Sequence, residues 1–346
     1  MRTLHHILFD DTADGLLRRS AEACGGLQPL MKRYFLTEGS QRSCFPCEEG
    51  AVSYVVQPPL SGGRLALWMV CALPEEGCKL SVDRQKGVTV AREFPGPDME
   101  YVFSAGMTDI SSSDSEMQTA ALLGEYSSRL EERSMRLADN CVRTWFFCHD
   151  IDNLYAGLVK GRRDYFKTIG LDRDSHYIAS TGIAGDSTES GALVIMDALA
   201  MKGEFSQRYL YAPTHLNPTH EYGVTFERGV RVDAGSRAFV IISGTASIDN
   251  RGAVLHVGDV CAQTDRMMEN IGVLLDEGGA GWDDVKYALV YLRNADDYPK
   301  VSGMLSKRLG GIPYVVTLAP VCRPDWLIEM ECMAEITPKE PSRAGL

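Results

Sequence analysis

A chain of 346 residues with 45% hydrophobic content carries enough apolar material for two cores of ordinary domain size. Its net charge of −12 excludes the broad Lys/Arg surface that a phosphate backbone requires, so nucleic acid is not an expected partner. The longest uninterrupted apolar run, residues 65–73, is too short to cross a bilayer, and residues 1–11 lack the apolar stretch of a secretory signal. No membrane partner and a cytoplasmic location are therefore expected.

In chain order, MKRYFLTE, AVSYVVQPPL and RLALWMVCAL are β-rich runs that read as extra strands ahead of a duplicated unit. Gly62-Gly63-Arg64 reads as a hairpin turn between two of them. The first copy of the unit follows: a strand over 101–108, a helix over 115–138, a strand from Val142, a helix over 154–168, and strands from Tyr177 and Gly191. Residues 203–236, punctuated by Pro and Asn, connect to the second copy. That copy runs through a strand from Phe239, a helix over 262–277, a strand from Val285, a helix over 298–309, and strands from Tyr314 and Asp325. The helix at 262 carries an apolar stripe of Met267, Ile271, Leu274 and Leu275, and its Glu-Gly-Gly-Ala-Gly end is a helix stop.

Matched landmarks hold a nearly constant offset between the copies. Ser104 pairs with Ser243, Gln118 with Gln263, Val142 with Val285, Tyr177 with Tyr314, and Asp197 with Glu331. The implied domains are 1–203, with the extra strands, and 204–346. Each is an α+β unit, a mostly antiparallel sheet with two helices on one face.

Ten cysteines at irregular spacing read as reduced thiols that pack as small apolar side chains. Cys44-Phe-Pro-Cys47 has the spacing of a redox or zinc half-site, but no second such pair or histidine pair completes it, so no metal is assigned. Alternation along the last strand puts Trp326, Ile328, Met330 and Cys332 on one face and Leu327, Glu329, Glu331 and Met333 on the other. If the second face packs on its twin, two desolvated carboxylates two residues apart raise each other's pKa, which makes a usable general acid. The duplicate is an internal control: Asp197 stands opposite Glu331, but Ile195 stands opposite Glu329. A shared acid points to structure and a one-sided acid to a single active site. Arg228 and Arg323 are the cations nearest these elements and can clamp a substrate carboxylate.

The second copy resembles the RidA (YjgF) family. The resemblance rests on a strand ending in SGT at 243–245, the QTDRMMENIGVLLDEGG helix, VKYALVYLRN, and the closing IEMECMA. It implies a chorismate-mutase-like unit, usually trimeric around a barrel, with small-molecule sites in the clefts between units. Deaminases of the family use an arginine in the strand before the last, where this chain has Val316, and Ala179 in the first copy. Tandem copies with a degenerate first one look more like the chorismatases. Val321-Cys-Arg-Pro-Asp-Trp-Leu-Ile-Glu329, Arg143-Thr-Trp145 and SGTAS at 243–247 resemble that family's motifs, and Phe226-Glu-Arg-Gly229 is a looser match.

The resemblance implies a cofactor-free hydrolase that cleaves the enolpyruvyl ether of chorismate to pyruvate and a hydroxybenzoate or dihydroxycyclohexadiene carboxylate. Glu329 would be the proton donor. Arg228, Arg323, Cys322, Tyr222, Phe226, Ser243 and Gly244 would bind the small carboxylate substrate. The assembly would be a homotrimer or a pseudo-oligomer within one chain. An enamine or imine deaminase and a noncatalytic carboxylate-binding protein are the alternatives.

Overall fold

The computed structural model describes residues 1–40, 42–96 and 98–338. The first sheet is built from β1 (Arg2–Asp10), α1 (Ala13–Cys24), β2 (Gln28–Leu36), β3 (Ala51–Val56) and β4 (Leu65–Leu73). The second uses β5 (Lys79–Gln85), β6 (Val88–Phe94), β7 (Glu100–Thr108), α2 (Ser115–Glu131), α3 (Leu137–Asn140), β8 (Cys141–Cys148), α4 (Ile151–Thr168), β9 (Ala179–Ala184) and β11 (Val194–Lys202), while β10 (Asp186–Ser187), between them in the chain, pairs with β3 at the edge of the first sheet. The third uses β12 (Phe205–Leu210), β13 (Gly229–Ala234), β14 (Arg237–Ala246), α5 (Val260–Gly278), β15 (Val285–Leu292), α6 (Tyr298–Leu309), β16 (Tyr314–Leu318) and β17 (Ile328–Ile336).

The second and third sheets share one topology, β5-β6-β7-β11-β8-β9 and β12-β13-β14-β17-β15-β16, each with a single parallel pair at its far end. This is the expected tandem α+β duplication. One polar device recurs in both. Gln118 donates to the carbonyls of Ser112 and Gly191 and accepts from Leu193 N–H; Gln263 donates to those of His256 and Asp325 and accepts from Leu327 N–H. A buried amide thus ties each long helix to the loop entering its last strand.

The first sheet corrects the sequence reading. In its order β1-β4-β2-β3-β10, the first four strands, with β2 and β3 parallel, repeat the last four of the other two sheets. Residues 2–73 are thus a third, shortened copy with one helix, and not strands added to the first. The run RTLHHILFD carries too weak an apolar alternation to be read as its opening strand. The turn at Gly62 is no hairpin either: β3 and β4 lie on opposite sides of β2. Ladder registers also shift three landmarks, making Ala105 the counterpart of Ser243, Cys141 the counterpart of Val285 and Ser180 the counterpart of Tyr314. Four cysteines pack in the interior as expected, but Cys44 and Cys47 are exposed.

The three sheets turn one face inward and hold their helices outside. Alternation on β4 shows this, with Trp68 and Val70 in the central cluster and Leu67, Met69 and Cys71 against α1. Each seam is also closed by backbone at the sheet edges: Gly50 bridges Lys86, Ala179 bridges Glu227, and Pro59 bridges Thr317. The arrangement is a pseudo-trimer within one chain.

Two seams carry fully buried ion pairs in cyclic order. Arg33 on β2 gives Nε and NH2 to Asp197 on β11 at 2.9 and 2.7 Å, within 5 Å of the Trp68, Trp145 and Phe147 rings. Arg143 on β8 pairs with Glu331 on β17. By register the third seam would pair Tyr287 with Ala66, and there Tyr287 instead stacks on His5 and Trp68 at 4.7 and 4.5 Å. Burial drives the His5 pKa down to about 3, so this seam is neutral near pH 7. Asp197→Ala, which strands the Arg33 charge, should cost about 3–5 kcal/mol, whereas Arg33→Met with Asp197→Leu should recover most of it. Urea unfolding of the two variants checks this.

Candidate active site

A cleft of about 280 Å³ opens at the seam between the second and third sheets. One wall is Tyr155, Ala156, Val159 and Arg162 of α4 with Ser180, Thr181 and Gly182 of β9. The other combines the segment before β13, the β14 bulge, and the loop leading into β17. The corresponding position at the first seam is filled, because Gly106, the counterpart of Gly244, lies so close that a Cβ there would be 2.6 Å from the Val52 carbonyl.

Glu329 lies at the start of β17, between Ala246 on β14 and Tyr291 on β15, and is only 5% exposed. The ladder slips between Ile242 and Thr245, a bulge that carries Ser243 and Gly244 out of register. Gly244 thereby presses its backbone on the Glu329 carboxyl, where a Cβ would fall 2.3 Å from Oε1. The Gly244 N–H donates to Thr181 Oγ1 at 2.9 Å. Among the described residues, no hydrogen bond reaches the Glu329 carboxyl. Desolvation first, and the Glu331 carboxylate second, raise its pKa to about 8 against the pull of Arg228 and Arg143.

The cations come from three elements. Arg228, nearly buried, gives Nε and NH2 to the Asn217 carbonyl at 3.2 and 3.0 Å and NH2 to Asn217 Oδ1 at 3.1 Å, with Phe226 beside it. Arg323 donates to the Gly252 carbonyl at 3.1 Å and lies over the Trp326 ring. Arg162, fully buried on α4, reaches Thr225 Oγ1 at 3.1 Å. Neutral oxygens thus orient these guanidiniums while their charge bears on the cleft. Among the described lining residues, Arg162, Arg228 and Arg323 face one carboxyl, Glu329. Cys322 also lines the cleft, and burial pushes its thiol up to about 12, so it is a neutral wall near pH 7.

Of the residues singled out from sequence, Glu329, Arg228, Arg323, Cys322, Phe226 and Gly244 meet in this one cleft. Ser243 does not line it. Its hydroxyl accepts from Ser180 N–H and donates to the Glu227 carbonyl, which pins the seam behind the cleft. Tyr222 closes the short turn Thr219–Tyr222, and its side chain lies outside the described positions. Arg162, Thr181 and Asn217 were not singled out, since nothing in a helix arginine or a loop asparagine marks it until distant segments meet. Registers also make Gly182, not Ala179, the counterpart of Val316. Neither position supplies a guanidinium. Among the described residues, no His/Cys/Asp/Glu group could hold a metal, and no helix is long and apolar enough to cross a membrane.

Comparison with known proteins bears on the fold and the family. A family model described as Endoribonuclease L-PSP matches residues 225–336. A RutC family protein of Pyrococcus abyssi is 35% identical over 98 residues, which are 28% of this chain and 77% of that protein. The 3-aminoacrylate deaminase RutC of Acinetobacter baylyi is 32% identical over 100 residues, covering 28% of this chain and 79% of its own. A chorismatase crystal structure superposes on 96% of this chain and 98% of its own with a TM-score of 0.71 at 19% identity, a likeness of fold.

The raised proton affinity of Glu329 has a cost that stability measurements read directly. The folded state retains a proton up to about pH 8 that the unfolded carboxyl releases near 4.5. Stability therefore falls with rising pH across that window, by up to about 1.4 kcal/mol per unit, and levels off above it. Glu329→Gln should match the parent near pH 4 and be the more stable of the two at pH 9, as judged by denaturant midpoints.

Proposed function

We propose, because this chain belongs to the RidA (YjgF) superfamily, that its open cleft is a hydrolase site of the chorismatase type. The substrate is chorismate, cleaved at its enolpyruvyl ether. The observation that carries this reading is a single buried carboxyl, protonated near neutrality, in a cleft lined by three arginines. An anion with two carboxylates fits such a lining, in a chain whose net charge of −12 would otherwise repel it.

The reaction needs one acid and one water. Glu329 gives its proton to the terminal methylene carbon of the enol ether, whose double-bond electrons form the new C–H bond. The ether carbon becomes an oxocarbenium ion. Water adds to that carbon, and the proton it sheds returns to the Glu329 carboxylate. The resulting hemiketal breaks its bond to the ring oxygen, which takes the hydroxyl proton, and pyruvate leaves with the dihydroxycyclohexadiene carboxylate, or with the hydroxybenzoate that forms from it by loss of one water. Arg228 and Arg323 hold the substrate carboxylates so that the methylene stays within reach of the acid. Trp326 and Phe226 supply apolar surface for the ring and limit water to the one that reacts.

An imine deaminase is the competing reading, favoured by the RutC relative named for 3-aminoacrylate. Against it stands the absence of a guanidinium at Val316 and at its counterpart Gly182. Incubation with chorismate should release pyruvate, and Glu329→Gln should lower kcat by about 10²–10⁴-fold. Because the protonated acid is the active form, kcat/KM should fall as pH rises through about 8. Background pyruvate release by the parent, or full turnover by Glu329→Gln, overturns the reading. Ammonia release from fresh 2-aminoacrylate in the absence of chorismate turnover would transfer the site to the deaminases, and saturable chorismate binding without turnover would make it a binding protein.

A further inference from the structure

Glu331, two residues beyond the acid, is fully buried and takes all its hydrogen bonds from the neighbouring sheet. Its Oε1 accepts from Trp145 Nε1 at 2.6 Å, and its Oε2 accepts from Arg143 and from the Thr181 hydroxyl. While donating a hydrogen bond to Glu331, Thr181 Oγ1 accepts from Arg143 and from the Gly244 N–H, and Gly244 is the backbone against which the Glu329 carboxyl rests. The path leaves β17 at Glu331, crosses the seam, and returns to β17 at Glu329.

The first copy shows what this arrangement adds. There Asp197 accepts from Arg33 and also directly from the Gly106 N–H at 2.7 Å. No hydroxyl stands between acid and glycine, and the residue two positions earlier is Ile195. Only where an acid occupies that earlier position does the deeper carboxylate reach its glycine through a threonine that also lines the cleft.

We infer that Glu331 is a positioning residue for Glu329, acting through Thr181 and the Gly244 backbone and through its own charge. This rests on reading Glu329 as the proton donor. The groups facing Glu329 are Glu331 on its own strand, Arg143 on β8, Arg228 before β13, Tyr291 on β15, and Cys322, Arg323 and Arg162 around the cleft. Replacing Glu331 by a neutral residue removes the negative charge that favours the protonated acid and leaves Arg143, which favours the ionised one. Both changes act in the same direction.

The test uses the full chain and two readouts. Infrared difference spectra follow the carboxyl stretch of Glu329 against pH, with Glu329→Gln as blank, and need no substrate. Pyruvate release from chorismate gives kcat, KM and their pH profiles. Glu331→Gln should lower the Glu329 titration by about one unit or more and move the alkaline limb of kcat/KM down with it. Thr181→Val should shift the titration by only about a few tenths of a unit while lowering kcat more than it raises KM, and Thr181→Ser should restore kcat. A folded Glu331→Gln with an unmoved Glu329 titration overturns the inference, as does Thr181→Ser behaving like Thr181→Val. If Glu331→Gln does not fold, the threonine pair decides alone. A titration that shifts in a parent with no chorismate turnover sustains the positioning role and removes the chorismatase reading.

Discussion

Sheets that pack face to face normally exclude charge from the layer between them, yet here Arg143 reaches from the second sheet to Glu331 of the third at full burial. Neither group is tolerable at that depth alone, because an unpaired buried ion costs several kcal/mol. The pair therefore fixes how the two sheets sit. Arg143 must lie opposite β17, Thr181 must lie beside it to complete the Glu331 shell, and the Gly244 bulge must then approach Thr181. The cleft containing Glu329 lies immediately outside this cluster. Its shape follows from satisfying a buried acid that itself transfers no proton in the proposed chemistry.

The pseudo-threefold arrangement explains why the second seam carries an acid-lined cleft and the first does not. All three inner faces use the same strand order, so each seam offers an equivalent location for a site. The first seam keeps the ion pair but lacks the outer acid, and its bulge glycine closes on β3. The third replaces the pair by stacked His5, Trp68 and Tyr287. That exchange loses a charge-assisted contact and gains aromatic area, which is near break-even in a core. Duplication thus supplies three frames, and divergence leaves one with both a proton donor and a place for a ligand.

The duplicated elements were legible because each carries its own local signal: β-rich runs, an apolar helical stripe, and a glutamine at the same helical position in each copy. The Asp197/Glu331 pairing was legible because a strand has period two and the neighbouring Ile195/Glu329 contrast survives any whole-copy alignment. What the sequence hid was non-local. The shortened copy over residues 2–73 lacks the second helix and the leading hairpin, so its spacing does not match the other two. Arg33 carries no mark of a core residue until Asp197, 164 positions later, is placed beside it. Arg162 and Thr181 look like ordinary helix and strand residues, and they become part of the cleft only because the seam joins β9 to the loop before β13. The one-residue errors at Ser104 and Val142 and the three-residue error at Tyr177 arise at bulges and at a loop of unequal length, where constant-offset matching fails.

A proton donor and a cluster of cations make opposing demands on one small cavity. Arginines that bind an anion also stabilise the ionised form of any nearby carboxyl, which would leave Glu329 without a proton to give. Two features bear on that balance. Asn217 and Gly252 accept hydrogen bonds from Arg228 and Arg323, which orients the guanidiniums at the cleft. Glu331, tied to Arg143 behind the cleft, supplies the negative potential on the side of Glu329 away from the substrate. An arriving dianion adds more negative charge in front and raises the proton affinity of the acid further, so binding itself would prime the donor. A carboxyl exposed to water could not respond in this way, because solvent would screen both contributions. Burial of Glu329 at the seam is thus the condition for one site to hold an anion and protonate it.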